Sequence, residues 1–391
     1  MNPLNLTALV SLVISAAFFS PYIKWLKYKQ IEQFIREEGP QSHAAKAKTP
    51  TMGGLCFAVI AVVIAAVYIF AVRQPSGPII GGQMAGETAQ WETFASLLDI
   101  ASWPAARAAA LSVIAIALAC GFIGFADDYG KITSRSNRGL PAKLRLAIEF
   151  GLGLVLSGLL VVAHAAPTFL VGFGGIINLD ATWQLIYLVV IVPLLVASTT
   201  NAVNLHDGMD GLAAGTSVLI FSVLFFITIS LGGLYLAAIC AAMVGAVTGF
   251  LIYNRYPASV FMGDTGSLFI GGMIAAVVAA SGLVLWFIPL ALLYVAEAAS
   301  VIIQVTYFKL TKEYTPPTPM SRPALIWRKL TTRLPGDGKR FFRMAPLHHH
   351  FEAIGQERGE PEWKVVAYFW VVQFLLCAVT WLVFNRAFPL S

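Results

Sequence analysis

Five short polar segments, set between long apolar runs, hold the residues able to do chemistry. Asp127-Asp128 closes the stretch Gly-Phe-Ile-Gly-Phe-Ala-Asp-Asp-Tyr-Gly-Lys131. Adjacent carboxylates beside hydrocarbon repel, and negative charge at a helix C-terminus is unfavourable, so a divalent cation would offset both; a solvated loop start is the plainer reading. Asn201-Ala-Val-Asn204-Leu-His206-Asp207-Gly-Met-Asp210-Gly211 gathers two asparagines, two acids and a histidine. If helical, Asp207 and Asp210 share a face, and the glycines let a ligand approach the backbone. An Asn/Asp/Gly turn rarely needs so many such groups. In Asn254-Arg-Tyr-Pro-Ala-Ser-Val-Phe261-Met-Gly-Asp264-Thr-Gly266, glycines leave the Asp264 carboxylate accessible where a loop meets an apolar run, which suits a cation or phosphate. Lys46-Ala-Lys-Thr-Pro-Thr51-Met-Gly-Gly54 is a basic, hydroxyl-bearing lead into another run; helix N-termini of this kind bind phosphate, although topology alone also asks for basic residues there. The fifth segment, Lys339-Arg-Phe-Phe-Arg343-Met-Ala-Pro-Leu-His348-His349-His350-Phe-Glu352, brings histidines that can bind metal or serve a diphosphate.

Hard acidic oxygens from several segments suit Mg2+ rather than zinc, and Mg2+ is commonly shared between carboxylates and substrate phosphates. No G-x-x-x-x-G-K-[ST] loop and no G-x-G-x-x-G after a strand occurs, so neither an ATPase nor a dinucleotide enzyme is supported. The energy then comes from the substrate. Exchanging one phosphoanhydride for another, with a lipid phosphate as acceptor, needs only positioning, Mg2+ and charge neutralisation.

The elements that must position these groups are membrane spans. Of 391 residues 58% are hydrophobic and 12% charged, about half the charge of a soluble domain. Runs of roughly 20 apolar residues cross the bilayer as helices, and the two-residue alternation of a barrel is missing. The fold class is therefore all-α, a polytopic membrane protein with spans expected at Leu4–Trp25, Met52–Val72, Ala105–Ala126, Leu146–Ala166, Trp183–Thr199, Leu212–Ser230, Leu234–Leu251, Ser267–Gly282, Leu285–Phe308 and Trp363–Phe384. Basic residues follow the first, third and ninth spans (Lys24 to Lys48, Lys131 to Arg145, Lys309 to Lys364), and only Arg73, Arg107 and Arg386 fall on the other face. The positive-inside rule puts both termini outside and the polar segments in the cytoplasm. The first span has its charges after the apolar run, which suits a retained anchor better than a signal peptide. A pI of about 9.1 serves topology, headgroups or an anionic substrate, not nucleic acid. Cys56, Cys120, Cys240 and Cys377 lie inside spans as packing residues, with no metal spacing.

One membrane domain, 1–391, is expected, with a long outside loop at 74–104 and a cytoplasmic loop at 309–362. In the latter, four prolines within Tyr314 to Pro323 exclude a regular helix, while Ala324 to Leu334 reads as a short basic amphipathic helix on the membrane. Within the ninth span Glu297, Ser300 and Gln304 share a face; Glu297 suits an interhelical hydrogen bond as well as a substrate role, whereas Gln304, nearer the cytoplasm, favours function. Glu149 is placed to pair with Lys143 or Arg145.

Taken together, TPTMGG, FADDYGK, NAVNLHDGMDGLA, NRYPASVFMGDTGSL, SVIIQVTYFK and KRFFRMAPLHHHFE make the chain resemble the phospho-N-acetylmuramoyl-pentapeptide transferases over nearly its whole length. The MAPLHHHFE block separates that family from relatives that transfer N-acetylglucosamine phosphate. The resemblance implies ten spans in the bacterial cytoplasmic membrane and a homodimer. It also implies transfer of phospho-MurNAc-pentapeptide from UDP-MurNAc-pentapeptide to undecaprenyl phosphate, giving lipid I and UMP. It places the Mg2+ aspartate at Asp264 and the acidic pair at Asp127 and Asp128, with Asp127 the base that keeps the lipid phosphate deprotonated. Lys46, Thr51, Asn204, Asp207, Asp210, Asn254, Phe261 and Gln304 match nucleotide and diphosphate positions, Phe261 offering a ring to stack on uracil. His348 and His349 match loop histidines near the phosphates, and Lys143 a basic position near the lipid phosphate. Two departures stand out. Lys48 replaces the usual glycine before TPTMGG, and the connection from Phe308 to Lys339 is longer than usual. A related transferase using another UDP-sugar is the nearest rival. A UbiA-type prenyltransferase would lack the histidine block, and an ion-coupled transporter would hold its acids at mid-membrane.

Overall fold

The computed structural model describes residues 3–31, 49–72, 103–134 and 139–388, without the side chains of 103 and 104. Lys46, Lys48 and all but the last two residues of the loop expected at 74–104 lie outside the described residues. Within them ten helices are long and apolar enough to cross a membrane. The first eight are α1 (Pro3–Tyr28), α2 (Gly53–Ala71), α3 (Trp103–Ser134), α4 (Ala142–Val162), the run Ala181–His206, α7 (Leu212–Ser230), α8 (Leu234–Asn254) and α9 (Gly263–Ala280). The run Ala181–His206 consists of α5 (Ala181–Ile186), a π turn at Tyr187–Ile191 and α6 (Val192–His206). After a short α10 (Val284–Leu290) come α11 (Leu292–Thr311), two shorter helices, α12 (Arg322–Thr331) and α13 (Leu347–Glu357), and the last span, α14 (Glu362–Ala387).

Several boundaries differ from the sequence expectation, each for a local reason. The third span continues past Ala126 to Ser134, because Asp127 finds a cation one turn on at Lys131. The ninth is broken at Ala291, just after Pro289, which cannot donate the helical hydrogen bond. The fold is also not purely helical: β1 (Phe169–Gly172) and β2 (Gly175–Asn178) form an antiparallel hairpin, and Val171 donates its N–H to the Gly282 carbonyl. Prolines leave Glu313 to Ser321 irregular, and a basic amphipathic helix follows at α12, two residues earlier than expected, capped by the Ser321 hydroxyl.

Small residues set how closely the spans approach, since lipid gives apolar side chains no reason to prefer one another. α8 is mostly buried and packs on α1 through Gly245 and Gly249. There the Ser11 and Ser15 hydroxyls each donate to an α8 carbonyl, Ala242 and Ala246, at 2.8 Å. A β-carbon at Gly245 would lie 2.2 Å from the Ala8 carbonyl oxygen, whereas one at Gly151 would meet nothing within 4 Å. Gly245→Ala is therefore expected to destabilise the protein by about 1–3 kcal/mol through overpacking. Gly151→Ala should leave the thermal unfolding temperature in detergent unchanged; equal melting of the two variants would contradict this packing account.

Candidate active site

The chemistry gathers where the ends of α3 and α6 meet the start of α9. Asp128, on α3, accepts hydrogen bonds from the backbone N–H groups of Asp264 (3.1 Å) and Thr265 (2.9 Å) and from the Thr265 hydroxyl (2.7 Å). It thus serves the free N–H groups that open α9, a placement that favours negative charge. Gly263, at φ 76°, makes the turn into that helix; a β-carbon there would meet Asp128 at 2.6 Å and the buried Thr51 hydroxyl at 3.0 Å. The TPTMGG segment closes the same corner: Gly53 and Gly54 donate to the carbonyls of Phe261 and Met262, and a β-carbon at Gly54 would stand 2.2 Å from Gly266. Phe261 is half-buried, its backbone N–H given to Pro50.

Asp264, so fixed, presents its carboxylate to three partners. Lys131 Nζ reaches Oδ2 at 2.7 Å, Asn204 Nδ2 reaches Oδ1 at 2.7 Å, and Arg145 stands 3.8 Å from Oδ2. Lys131 also holds Asp127 at 2.6 Å, and Asp127 accepts the Leu140 N–H. One ammonium therefore sits between two carboxylates supplied by different helices. Asn204 extends the set to Ser267 Oγ at 2.9 Å, while Arg145 is steadied by the buried Glu149 and by Asn201. That acid-and-amide donor set, already clasping a cation, fits a hard divalent ion.

The loop acids divide. Asp210 and Asn254 are buried and tie their loops together: Asp210 accepts the Ala258 N–H at 3.0 Å, and Asn254 accepts from Gly211 and donates to Val260. Asp207 ends α6, so the two acids do not share a helix face. Burial, helped by the negative charges of Asp264, Asp128 and Asp210, pushes the Asp207 carboxyl up to about 8.

A second cluster adjoins the first. The buried Glu297 carboxylate faces His348 Nδ1 at 3.1 Å and His206 Nδ1 at 3.3 Å, and accepts the His348 backbone N–H at 3.3 Å, opening α13. Among the described residues this is the one His/acid group tight enough to hold a metal, but a single carboxylate oxygen shared by two Nδ1 atoms is the geometry of a hydrogen-bonded triad. The triad turns His348 Nε2 toward the chain at Gly208, where a β-carbon would approach it to 2.1 Å. His349 pairs instead with Glu352 at 2.8 Å. Gln304 accepts the N–H groups of Phe341 and Phe342 and donates to the Phe342 carbonyl, so it holds the histidine-bearing loop.

Of the expected site residues, the structure brings Thr51, Asp127, Asp128, Asn204, Asp207 and Asp264 into one corner, with His348 beside it. Lys46 lies outside the described residues. Lys143 is exposed on α4, and of these two α4 cations Arg145 is the one turned to Asp264. Lys131, Arg145, Asn201 and His206 were not among the expected site residues, although Lys131 stands four residues after Asp127, the spacing of helix neighbours.

Residues 110–282 match the family model described as glycosyl transferase family 4, a span covering α3 to α9 and hence the acidic corner. Proteins called phospho-N-acetylmuramoyl-pentapeptide-transferase resemble the chain almost end to end. The one from Shouchella clausii is 36% identical over 361 residues, 92% of this chain and 90% of its own length. The Staphylococcus aureus protein is 36% identical and the Staphylococcus carnosus protein 34%, each with 93% of this chain and 94% of its own covered. The chain belongs to the phospho-N-acetylmuramoyl-pentapeptide-transferase family.

The raised Asp207 group has a consequence for stability. Its folded-state value stands above the ordinary carboxylate value, so it favours the folded form below about pH 4 and loses that contribution as pH rises toward about 8. In chelator, thermal unfolding should fall to lower temperature across this window, and Asp207→Asn should flatten the fall. An unchanged slope in the variant would refute the assignment.

Proposed function

We propose that the protein transfers phospho-MurNAc-pentapeptide from UDP-MurNAc-pentapeptide to undecaprenyl phosphate, forming lipid I and UMP for peptidoglycan. The observation that carries this reading is the Asp127–Lys131–Asp264 clasp, a charged, preorganised corner at the end of a helix bundle in a chain of this family. The acceptor phosphate oxygen attacks the phosphorus next to the sugar, the anhydride bond breaks, and UMP leaves with the electron pair. Asp127 keeps the acceptor phosphate deprotonated; Lys131 and Arg145 offset the charge that gathers. Asp264 would hold Mg2+, which when bound would neutralise the donor diphosphate. Direct attack is preferred to an aspartyl intermediate because Asp127 and Asp264 share one ammonium and Asp128 is spent on backbone N–H groups. Thr51, Asn204, Asp207 and Phe261 line the nucleotide side, Asp210, Asn254 and Gln304 hold the loops, and His348 and His349 face the diphosphate. Lys46 and Lys143 attract the anionic substrates. The reading includes one domain, a homodimer in the bacterial cytoplasmic membrane, both termini outside and the acids on the cytoplasmic face, where a soluble nucleotide meets a lipid phosphate.

Purified protein in detergent with Mg2+ should release UMP and form lipid product from the two substrates, and be inactive with UDP-GlcNAc in place of the donor. Asp264→Asn keeps a side chain of the same shape and should abolish turnover; full activity in that variant would sink the mechanism. Glu297→Gln removes the charge that orients His348 and should lower kcat on the order of 10²-fold with little change in KM. A change confined to KM would place Glu297 in substrate binding instead.

A further inference from the structure

The long connection after α11 builds a cavity of about 600 Å³ in which six cations and no carboxylate line the wall. Three of them are spent locally. Lys309 donates to the Leu330 carbonyl at 2.8 Å, Lys312 to Leu334 at 2.7 Å, and Lys329 to the carbonyls of Leu310 and Lys312. These bonds clamp the end of α11 to the end of α12, where cations favour the helix C-termini. Arg343 pairs with Glu357. Arg333 and Arg340 have no partner among the described residues and face the cavity. Its floor is apolar, made by Val301, Val305 and Phe308 of α11.

The surroundings say what could fill it. α11 is the least buried of the ten spans among the described residues and leaves Ile302 66% exposed. α12 presents Trp327, 71% exposed, beside Ile326. In a chain that spans a membrane, these faces continue the surface that lipid covers. Apolar floor, cationic mouth and an exposed tryptophan match one amphiphile, a lipid with an anionic phosphate headgroup. The cavity adjoins the histidine-bearing loop through Gln304, Arg343, Met344 and Ala345, whereas Asp127, Asp264 and His348 do not line it.

We propose that the segment 309–343 forms a binding site for an anionic glycerophospholipid, with Arg333 and Arg340 holding the headgroup phosphate and α12 lying in the headgroup layer. The inference needs the membrane but not the transfer reaction, and its readout is bound lipid rather than activity. Native mass spectrometry of the detergent-purified full chain, exchanged into phosphatidylglycerol or phosphatidylcholine, should show at least fivefold preferential retention of phosphatidylglycerol. Arg333→Ala with Arg340→Ala should bring the two lipids to parity, while Arg333→Lys with Arg340→Lys, which keeps the charge, should retain most of the preference. Equal retention of both lipids by the unaltered protein would overturn the proposal, as would an unchanged preference in the double alanine variant. Displacement of the lipid by inorganic diphosphate would show a soluble-anion site instead. Displacement by undecaprenyl phosphate or UDP-MurNAc-pentapeptide would assign the cavity to substrate, and either result overturns the lipid assignment.

Discussion

Everything in the acidic corner depends on the carboxylate of Asp128 closing the first turn of α9. Three hydrogen bonds to one charged acceptor, each worth about 1.5–3 kcal/mol, bind α3 to α9 at the one place where both carry acids. Without that contact two negatively charged segments have reason to separate. With it, the peptide dipoles of α9 offset one charge, and Lys131 remains for the other two. The side chain that looks most like a second catalytic acid is thus the one that makes the first one usable.

Packing serves the same end. Gly54 against Gly266 and Gly124 against Asp264 let backbones approach to distances that any side chain would forbid; β-carbons there would come to 2.2 and 2.1 Å of the facing main chain. The glycines let main chain close on main chain, so that Asp128 is held by backbone N–H groups while Lys131 and Asn204 have only a short gap to span to Asp264. Both positions lie within a turn of an acid of the site, Gly266 two residues after Asp264 and Gly124 three before Asp127. Close main-chain contacts fix the helices that carry the acids, as a site that relies on preorganised charge requires.

How much of this was legible in the sequence follows the physics of each feature. Apolar runs betray spans because the bilayer imposes a length, so all ten were readable. Their ends were less so. Asp127 and Asp128 look like the end of a helix in any hydropathy reading, and only the i,i+4 partner Lys131 reveals two further turns. The hairpin at 169–178 is short and half-exposed, too weak a pattern to stand out between spans. Asp264, Asn204 and Asp127 were readable as a site because acids beside hydrocarbon demand a reason. Arg145 was not, because it and Lys143 are equal in sequence and only the direction of α4 puts one inward and the other out.

The triad of Glu297, His206 and His348 shows why the site needs two clusters rather than one. A buried carboxylate without a partner is costly, and a histidine on a loop without an anchor has no fixed direction. Joining them satisfies both: Glu297 fixes the Nδ1 side of each ring, and the remaining Nε2 of His348 is aimed at the turn that carries Asp207. Gln304, two turns along the same helix, fixes the backbone of the loop from its other end. One helix face therefore sets both the position and the rotation of a histidine that arrives from a long loop. Asp128 is held by the main chain of α9, Asp127 and Asp264 share Lys131, and the histidine is held by α11. Since Glu297 and Gln304 both reach the histidine-bearing loop from α11, a shift of α11 against the bundle would move the histidine relative to the acids.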